Sequence, residues 1–230
     1  VKQVCTFIAA ITLSGNKTIE HMKHIIVSLA LVVTAAAAWA QPARVPVNDP
    51  PPSNTNTKPN TPPVTNTNTT TNTTTTSSTL TKYSDPQGRF TIGYPTEWTF
   101  NDKSESAVLQ ITSPKESDAD DFRQNVNLQV EDMSGKSTTI DDYVKTSMNA
   151  VKELVKGYTE VSSMFFNRNG FRAYEVVYKG KYGTMTSDIK IKQLFTIANN
   201  KAYILTYVSK ADERDAFETT ANKIFNSFKY

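Results

Sequence analysis

Alternation with a period of two dominates the second half of the chain. Phe90-Thr91-Ile92-Gly93-Tyr94 alternates and predicts a strand, stopped by Pro95 and preceded by a turn at Asp85-Pro86-Gln87-Gly88 with proline at its second position. Residues 107–112 and 126–131 predict two more strands; in the later one Val126, Leu128 and Val130 share one face and Asn127, Gln129 and Glu131 the other. The period then lengthens. Ile140, Tyr143, Val144, Ser147, Met148, Val151, Leu154 and Val155 follow the i, i+3/i+4 spacing of a buried helical stripe. Thr139 with Asp142 three residues on predicts a capping-box-like start, Asp141 and Asp142 suit the positive end of the helix dipole, and Gly157 is placed as the C′ stop. Strands resume at 161–167 and 171–178 around Asn169-Gly170, a strong hairpin signal. Gly180 and Gly183 mark the next turn. Residues 187–198 predict a long strand with Ile189, Ile191, Phe195 and Ile197 on one side, and Asn199-Asn200 turns it into 202–208. A last helix presents Phe217, Ala221, Ile224, Phe225 and Phe228 on one face, opened by a second capping box of Ser209 with Asp212.

Connections this short demand antiparallel pairing. Several predicted strands are apolar on both faces, such as Phe171-Arg172-Ala173-Tyr174-Glu175-Val176-Val177-Tyr178, which fits a sheet covered on both sides. The expected fold class is therefore α+β: an antiparallel sheet flanked by the two helices as an α/β/α sandwich.

The first third of the chain has a different character. Met22-Lys23, the uncharged run Ile25–Ala40 and the small-residue site Ala38-Trp39-Ala40 have the form of an export signal cut before Gln41. The run is 16 residues, short of the roughly 20 a spanning helix needs, so a retained anchor is the second reading. Residues 1–21 are expected to be an upstream extension from a gene start set too early, residues 22–40 a signal peptide, residues 41–80 a disordered tether and residues 81–230 the single folded domain. Between Pro51 and Leu80, Thr (13), Asn (6) and Pro (5) make up 24 of 30 residues. Such a segment cannot bury enough apolar surface to offset the entropy of ordering it. The triplets Asn68-Thr69-Thr70 and Asn72-Thr73-Thr74 are formal glycosylation sequons that a Thr/Asn tract also produces by composition alone.

Processing at Ala40 changes the chemical inventory. Cys5, His21 and His24 are the whole chain's only cysteine and histidines. Their removal leaves no disulfide, no thiol nucleophile, no imidazole base and no nitrogen or sulfur zinc ligand. The mature product is expected in the periplasm or outside the cell. Residues 81–230 carry 20 basic and 20 acidic side chains, so the domain is neutral although the whole chain is +3. A nucleic-acid binder needs a basic excess on its domain, and that class is excluded.

The opening stretch YSDPQGRFTIGYPTEWTF (83–100) combines an aromatic, a turn, a Phe-x-Ile-x-Tyr-Pro strand and a tryptophan three residues after the proline. It resembles the start of the PsbP/Mog1-like family. The order that follows fits as well, with a mid-domain helix beginning IDDYVKTSM, a long hairpin series and a last helix ending ANKIFNSF. The resemblance covers essentially all of residues 81–230. It implies the sandwich fold and a binding role: PsbP proteins are extrinsic lumenal subunits supporting the oxygen-evolving centre of photosystem II, Mog1 proteins bind a small GTPase, and neither branch is known for catalysis. The mature chain departs from the better-known PsbP members in having no histidine, and with it no histidine-based metal site.

Three functional readings follow. The first is an exported, non-catalytic binding domain that meets a protein partner or envelope complex, with membrane association at most peripheral. Its candidate residues are Lys179, Lys181, Lys190 and Lys192, around one hairpin, and Trp98, whose default role is core packing. Lysines on an edge also protect a sheet against unwanted pairing, which is the plainer explanation of the four. The second reading is a cation-binding extrinsic subunit in the photosystem sense. Glu116, Asp118, Asp120 and Asp121 form an acidic run that could offer oxygens to calcium or manganese, although Arg123 and Gln129 stand where a calcium loop would carry Gly and Glu. A solvated loop competes with it. The third is a carboxylate hydrolase built on Glu175, for which no motif supplies the second carboxylate; a lysine or arginine partner across the ladder is the alternative there.

Overall fold

The computed structural model describes residues 79–103, 107–120, 122–183, 185–211 and 215–230. Among the described residues, nine strands and two helices run in the order β1 (Leu80–Ser84), β2 (Thr91–Pro95), β3 (Thr99–Asn101), β4 (Leu109–Thr112), β5 (Asn125–Asp132), α1 (Ile140–Leu154), β6 (Val155–Arg168), β7 (Phe171–Tyr182), β8 (Ile189–Ala198), β9 (Lys201–Lys210) and α2 (Glu218–Ser227). β1 and β2 form a small hairpin of their own. The other seven strands make one sheet in the order β3-β4-β5-β9-β8-β7-β6, antiparallel at every pairing.

Both faces of the sheet are covered, as the apolar strands require. On one face α1 lays Tyr143, Val144, Met148 and Val151 against Val176, Tyr178, Ile191, Phe195 and Val208. On the other, α2 and the β1–β2 hairpin bury Phe90, Ile92, Trp98, Leu194, Leu205, Ile224, Phe225 and Phe228. β8 and β9, at the centre, are buried nearly throughout. Both tight hairpins form where Asn takes a left-handed backbone: Asn169 (φ 50°) before Gly170 (φ 85°), and Asn199 (φ 51°) with Asn200 (φ 57°). Thr139 caps α1 as expected, its Oγ1 accepting from the Asp142 amide at 3.1 Å and donating to the Asp142 carboxylate at 2.7 Å.

Three local expectations are corrected. Gly157 does not stop α1. The helix ends at Leu154 and the chain enters β6 at once, with Val155 extended (φ −94°, ψ 105°). Gly157 (φ 69°) instead lies inside β6, where its left-handed backbone accommodates a register shift between Lys156 and Thr159. Gly180 is likewise no turn residue; it lies in β7 opposite this irregularity, where an added Cβ would sit 2.4 Å from Val155 Cγ1 and 2.9 Å from the Lys156 carbonyl. Finally, Ser209 does not open α2. It is a buried residue of β9, and Asp212 lies outside the described residues. Asp215 prepares the helix, accepting from the Phe217 amide at 3.0 Å while both its oxygens receive the Tyr207 hydroxyl, at 2.8 and 2.9 Å. Burial, reinforced by that carboxylate, raises the Tyr207 phenol well above its ordinary range.

Candidate functional site

The outer strand β6 and its neighbours β7 and β8 form the part of the sheet that carries the candidate lysines. Directly opposed residues of antiparallel strands project to one face. Lys156 of β6 faces Lys181 of β7, and Lys179 of β7 faces Lys190 of β8. Lys192 lies two residues beyond Lys190, so all five share the face on which α2 packs. Two like-charged cross-strand pairs side by side are each unfavourable by up to about 1 kcal/mol.

The lysines divide into two groups. Lys190 Nζ reaches Glu218 at 3.3 Å, at the first turn of α2. Lys192 Nζ lies 3.1 Å from Glu175, 3.1 Å from the Asn222 side chain and 5.3 Å from the centre of the Phe225 ring. Both are half-buried and tie the helix to the sheet. Glu175, the candidate for carboxylate chemistry, is thus the ion-pair partner of Lys192. Lys156 and Lys181 are exposed and Lys179 half-exposed, beyond the helix on the same face. Lys156 was missed in the sequence because its place opposite Lys181 depends on the irregularity at Gly157, which no local pattern announces.

Trp98 is buried, 3% exposed, with its ring edge-on to Phe217 at 5.5 Å and its amide bonded to the Pro95 carbonyl at 3.0 Å. It is a core residue and contributes no binding surface.

The acidic run lies in the connection between β4 and β5. Asp120 is occupied in shaping that loop: its carboxylate accepts from the Glu116 and Phe122 amides, each at 3.1 Å, and Lys210 Nζ stands 3.9 Å away. Glu116 accepts from Gln124 Nε2 at 2.8 Å. Asp118 is exposed and Asp121 lies outside the described residues. Among the described residues no three acidic, histidine or cysteine side chains converge as a metal would require. No described helix is long and apolar enough to cross a membrane.

The sequence profile of the family described as PsbP-like protein matches residues 53–230. The chain belongs to this PsbP-like family. The match begins inside the segment read as a tether and extends over the whole folded part. Among solved structures, the PsbP-like domain is similar to CyanoP, the PsbP of Synechocystis, with 16% identity and a TM-score of 0.47 over 66% of this chain and 92% of that one. It is similar to LpqN of Mycobacterium tuberculosis, described as involved in cell envelope biogenesis, with 14% identity and a TM-score of 0.47 over 66% and 84%. It is also similar to PA94 of Pseudomonas aeruginosa, with 15% identity and a TM-score of 0.46 over 64% and 94%. No curated protein matches the chain.

Proposed function

We propose that this PsbP-like protein is an exported, non-catalytic binding domain that docks an acidic surface of a protein partner in the cell envelope. The observation that carries the reading is the lysine face of β6, β7 and β8. Two opposed lysine pairs, Lys156 with Lys181 and Lys179 with Lys190, concentrate positive charge on a domain that is neutral as a whole. Only Lys190 of these four is drawn to a carboxylate in the described ion pairs, that of Glu218. An anionic partner relieves the repulsion, and charge complementarity of this kind governs partner choice and encounter rate more than affinity.

Export rests on the signal-like segment ending at Ala40, and the non-catalytic reading on the chemistry left after its removal. No imidazole or thiol remains, and Glu175 is held by Lys192.

The test is affinity capture from the native envelope fraction with wild type and with a Lys179→Glu/Lys181→Glu variant. These two lysines are chosen because Lys190 and Lys192 also anchor α2, and replacing them would confound binding with stability. The wild type should retain a partner that rising salt releases, and the variant should lose it. An identical, salt-insensitive partner set for both would overturn the reading. Amino-terminal sequencing of the natural product should begin at Gln41.

A further inference from the structure

β6 is an outer strand of the sheet, and its two halves differ. The first half is guarded: it is irregular between Lys156 and Thr159 and again between Glu160 and Ser162, and it carries the charges of Lys156 and Glu160. Bulges and charges of this kind keep edges from pairing with other strands. From Ser162 to Arg168 the guard is absent. Seven residues pair with β7 in unbroken register. No charge, proline or glycine occurs from Val161 to Asn167. The exposed large hydrophobic residues of the described structure are Val161 (55%), Met164 (58%) and Phe165 (36%), all on this strand.

The regular stretch is also self-complementary. Its midpoint is Phe165. An antiparallel copy centred there sets Phe165 against Phe165, Met164 against Phe166, Ser163 against Asn167 and Ser162 against Arg168. Apolar residues meet apolar ones and polar meet polar. Centring one residue earlier would set Ser163 against Phe165 and Ser162 against Phe166, mismatching both. Two cations lie near this stretch: the Arg168 guanidinium is turned inward to the carbonyls of Phe225 and Phe228 at the end of α2, and Arg172 of β7, whose guanidinium lies 4.3 Å over the Phe165 ring, is paired with Asp141 at 3.0 Å. Pairing ends where the geometry does, at the irregularity before Ser162 on one side and the Asn169-Gly170 turn on the other.

We propose that the occupant of this edge is a second copy of the chain. Two protomers pair β6 to β6 about a two-fold axis at Phe165 and join their seven-stranded sheets into one continuous sheet.

The natural product, which on the reading above begins at Gln41 and so holds no cysteine, is examined by sedimentation velocity from micromolar to submillimolar concentration, and by cysteine crosslinking of single-cysteine variants. The parent should show a concentration-dependent dimer, and Phe165→Lys should be monomeric with unchanged circular dichroism. Opposed residues of paired strands have Cβ atoms about 5 Å apart. Phe165→Cys should therefore form a disulfide dimer on mild oxidation. Asn167→Cys should not, because its counterpart stands four residues away along the strand, roughly 13 Å. A parent that stays monomeric throughout, a dimer that survives Phe165→Lys, or equal crosslinking of the two cysteine variants would each overturn the proposal. The lysine-face reading is scored separately, by capture with the Lys179→Glu/Lys181→Glu variant.

Discussion

Replacing Arg168 with methionine tests how the end of β6 and the end of α2 hold each other. The Arg168 Nη2 group donates to the Phe225 carbonyl and, at 3.1 Å, to the Phe228 carbonyl, while its own carbonyl accepts the Tyr230 hydroxyl at 3.1 Å. A helix end carries a partial negative charge; the Phe225 carbonyl already accepts from the Phe228 amide at 3.2 Å, so the guanidinium adds a charged second donor to it, supplies one to the Phe228 carbonyl and faces the dipole. Hydrogen bonds to a charged group contribute about 1.5–3 kcal/mol each, and a cation at a helix C-terminus adds up to roughly 1 kcal/mol. Opposing this is the cost of withdrawing the charge from water. Burial pulls the Arg168 pKa below its ordinary value, and its Nε is buried without a bonding partner. Two such bonds and the dipole amount to about 3–7 kcal/mol; set against roughly 2–3 kcal/mol of desolvation, the mid-values leave a net loss on the order of 2.5 kcal/mol for Arg168→Met, which keeps the packed stem. Urea unfolding followed by tryptophan fluorescence measures it; with a slope of about 2 kcal/mol/M the midpoint should fall by roughly 1 M at unchanged slope. Arg168→Lys should lie between, since an ammonium lacks the planar fork. A methionine variant as stable as wild type would refute the latch, and would mean that the packing of Phe225 and Phe228 alone fixes the helix end.

Three other outcomes are expected. Gly180→Ala should cost about 3 kcal/mol, because the new Cβ meets Val155 and the Lys156 backbone at a φ of 155°; thermal unfolding would show it, and a near-neutral result would mean that the β6 irregularity can relax. Thr139→Ala removes the α1 cap and should cost about 1 kcal/mol, or roughly 3 °C in Tm for a domain of this size. The Asp85 carboxylate takes the Arg89 Nε and Nη2 at 2.7 Å each and the Arg89 amide at 3.1 Å, and these bonds hold its pKa below the ordinary value. A depressed folded pKa stabilises fully above the unfolded value, about 4, and the contribution is lost as pH falls through the folded one. Asp85→Asn should accordingly be less stable than wild type at pH 7, with the gap closing on acidification below pH about 4; a gap that is constant with pH would refute the assignment.

Those elements whose local chemistry agrees with their final surroundings were legible in advance. The Asn169-Gly170 and Asn199-Asn200 turns take the left-handed backbone their residues favour, and the stripes of α1 and α2 face the two cores. The misreadings have a common cause. A glycine after a helical stripe signals a stop when only the helix is in view, but Gly157 serves a pairing with β7 that is set by residues more than twenty positions away. Ser209 has capping chemistry yet is drawn into the centre of the sheet by the pairing of β9 with β8. β3, only three residues, is too short to carry a period, and β1 has none to read, since Leu80-Thr81-Lys82-Tyr83-Ser84 places its two apolar residues three apart after a Thr/Asn tract. The lysine face shows the same split. That Lys190 and Lys192 share a face follows from alternation, but not that α2 supplies Glu218 and Asn222 to receive them. Nor does alternation show that Lys156 completes the group.

The lysine face and the β6 edge, inferred from separate observations, have a joint geometric consequence. Antiparallel self-pairing that sets a residue against its own copy requires the two-fold axis to stand perpendicular to the sheet. Such an axis keeps the α2 faces of both protomers on the same side. The two groups of Lys156, Lys179 and Lys181 then look in one direction from a single continuous sheet, whereas packing the protomers face to face would turn them toward each other or bury them. A weak electrostatic contact made once becomes a strong one when made twice on a rigid frame, because the second engagement is intramolecular, with gains of roughly a hundredfold or more where the spacing matches. An extended or repeated acidic surface suits that arrangement better than a small soluble anion. Phe165→Lys should therefore weaken capture of such a partner as strongly as it weakens the dimer, although Phe165 lies on the opposite face from the lysines. If the monomeric variant instead bound as tightly as the parent, each lysine group would act alone and the dimer would serve some other end.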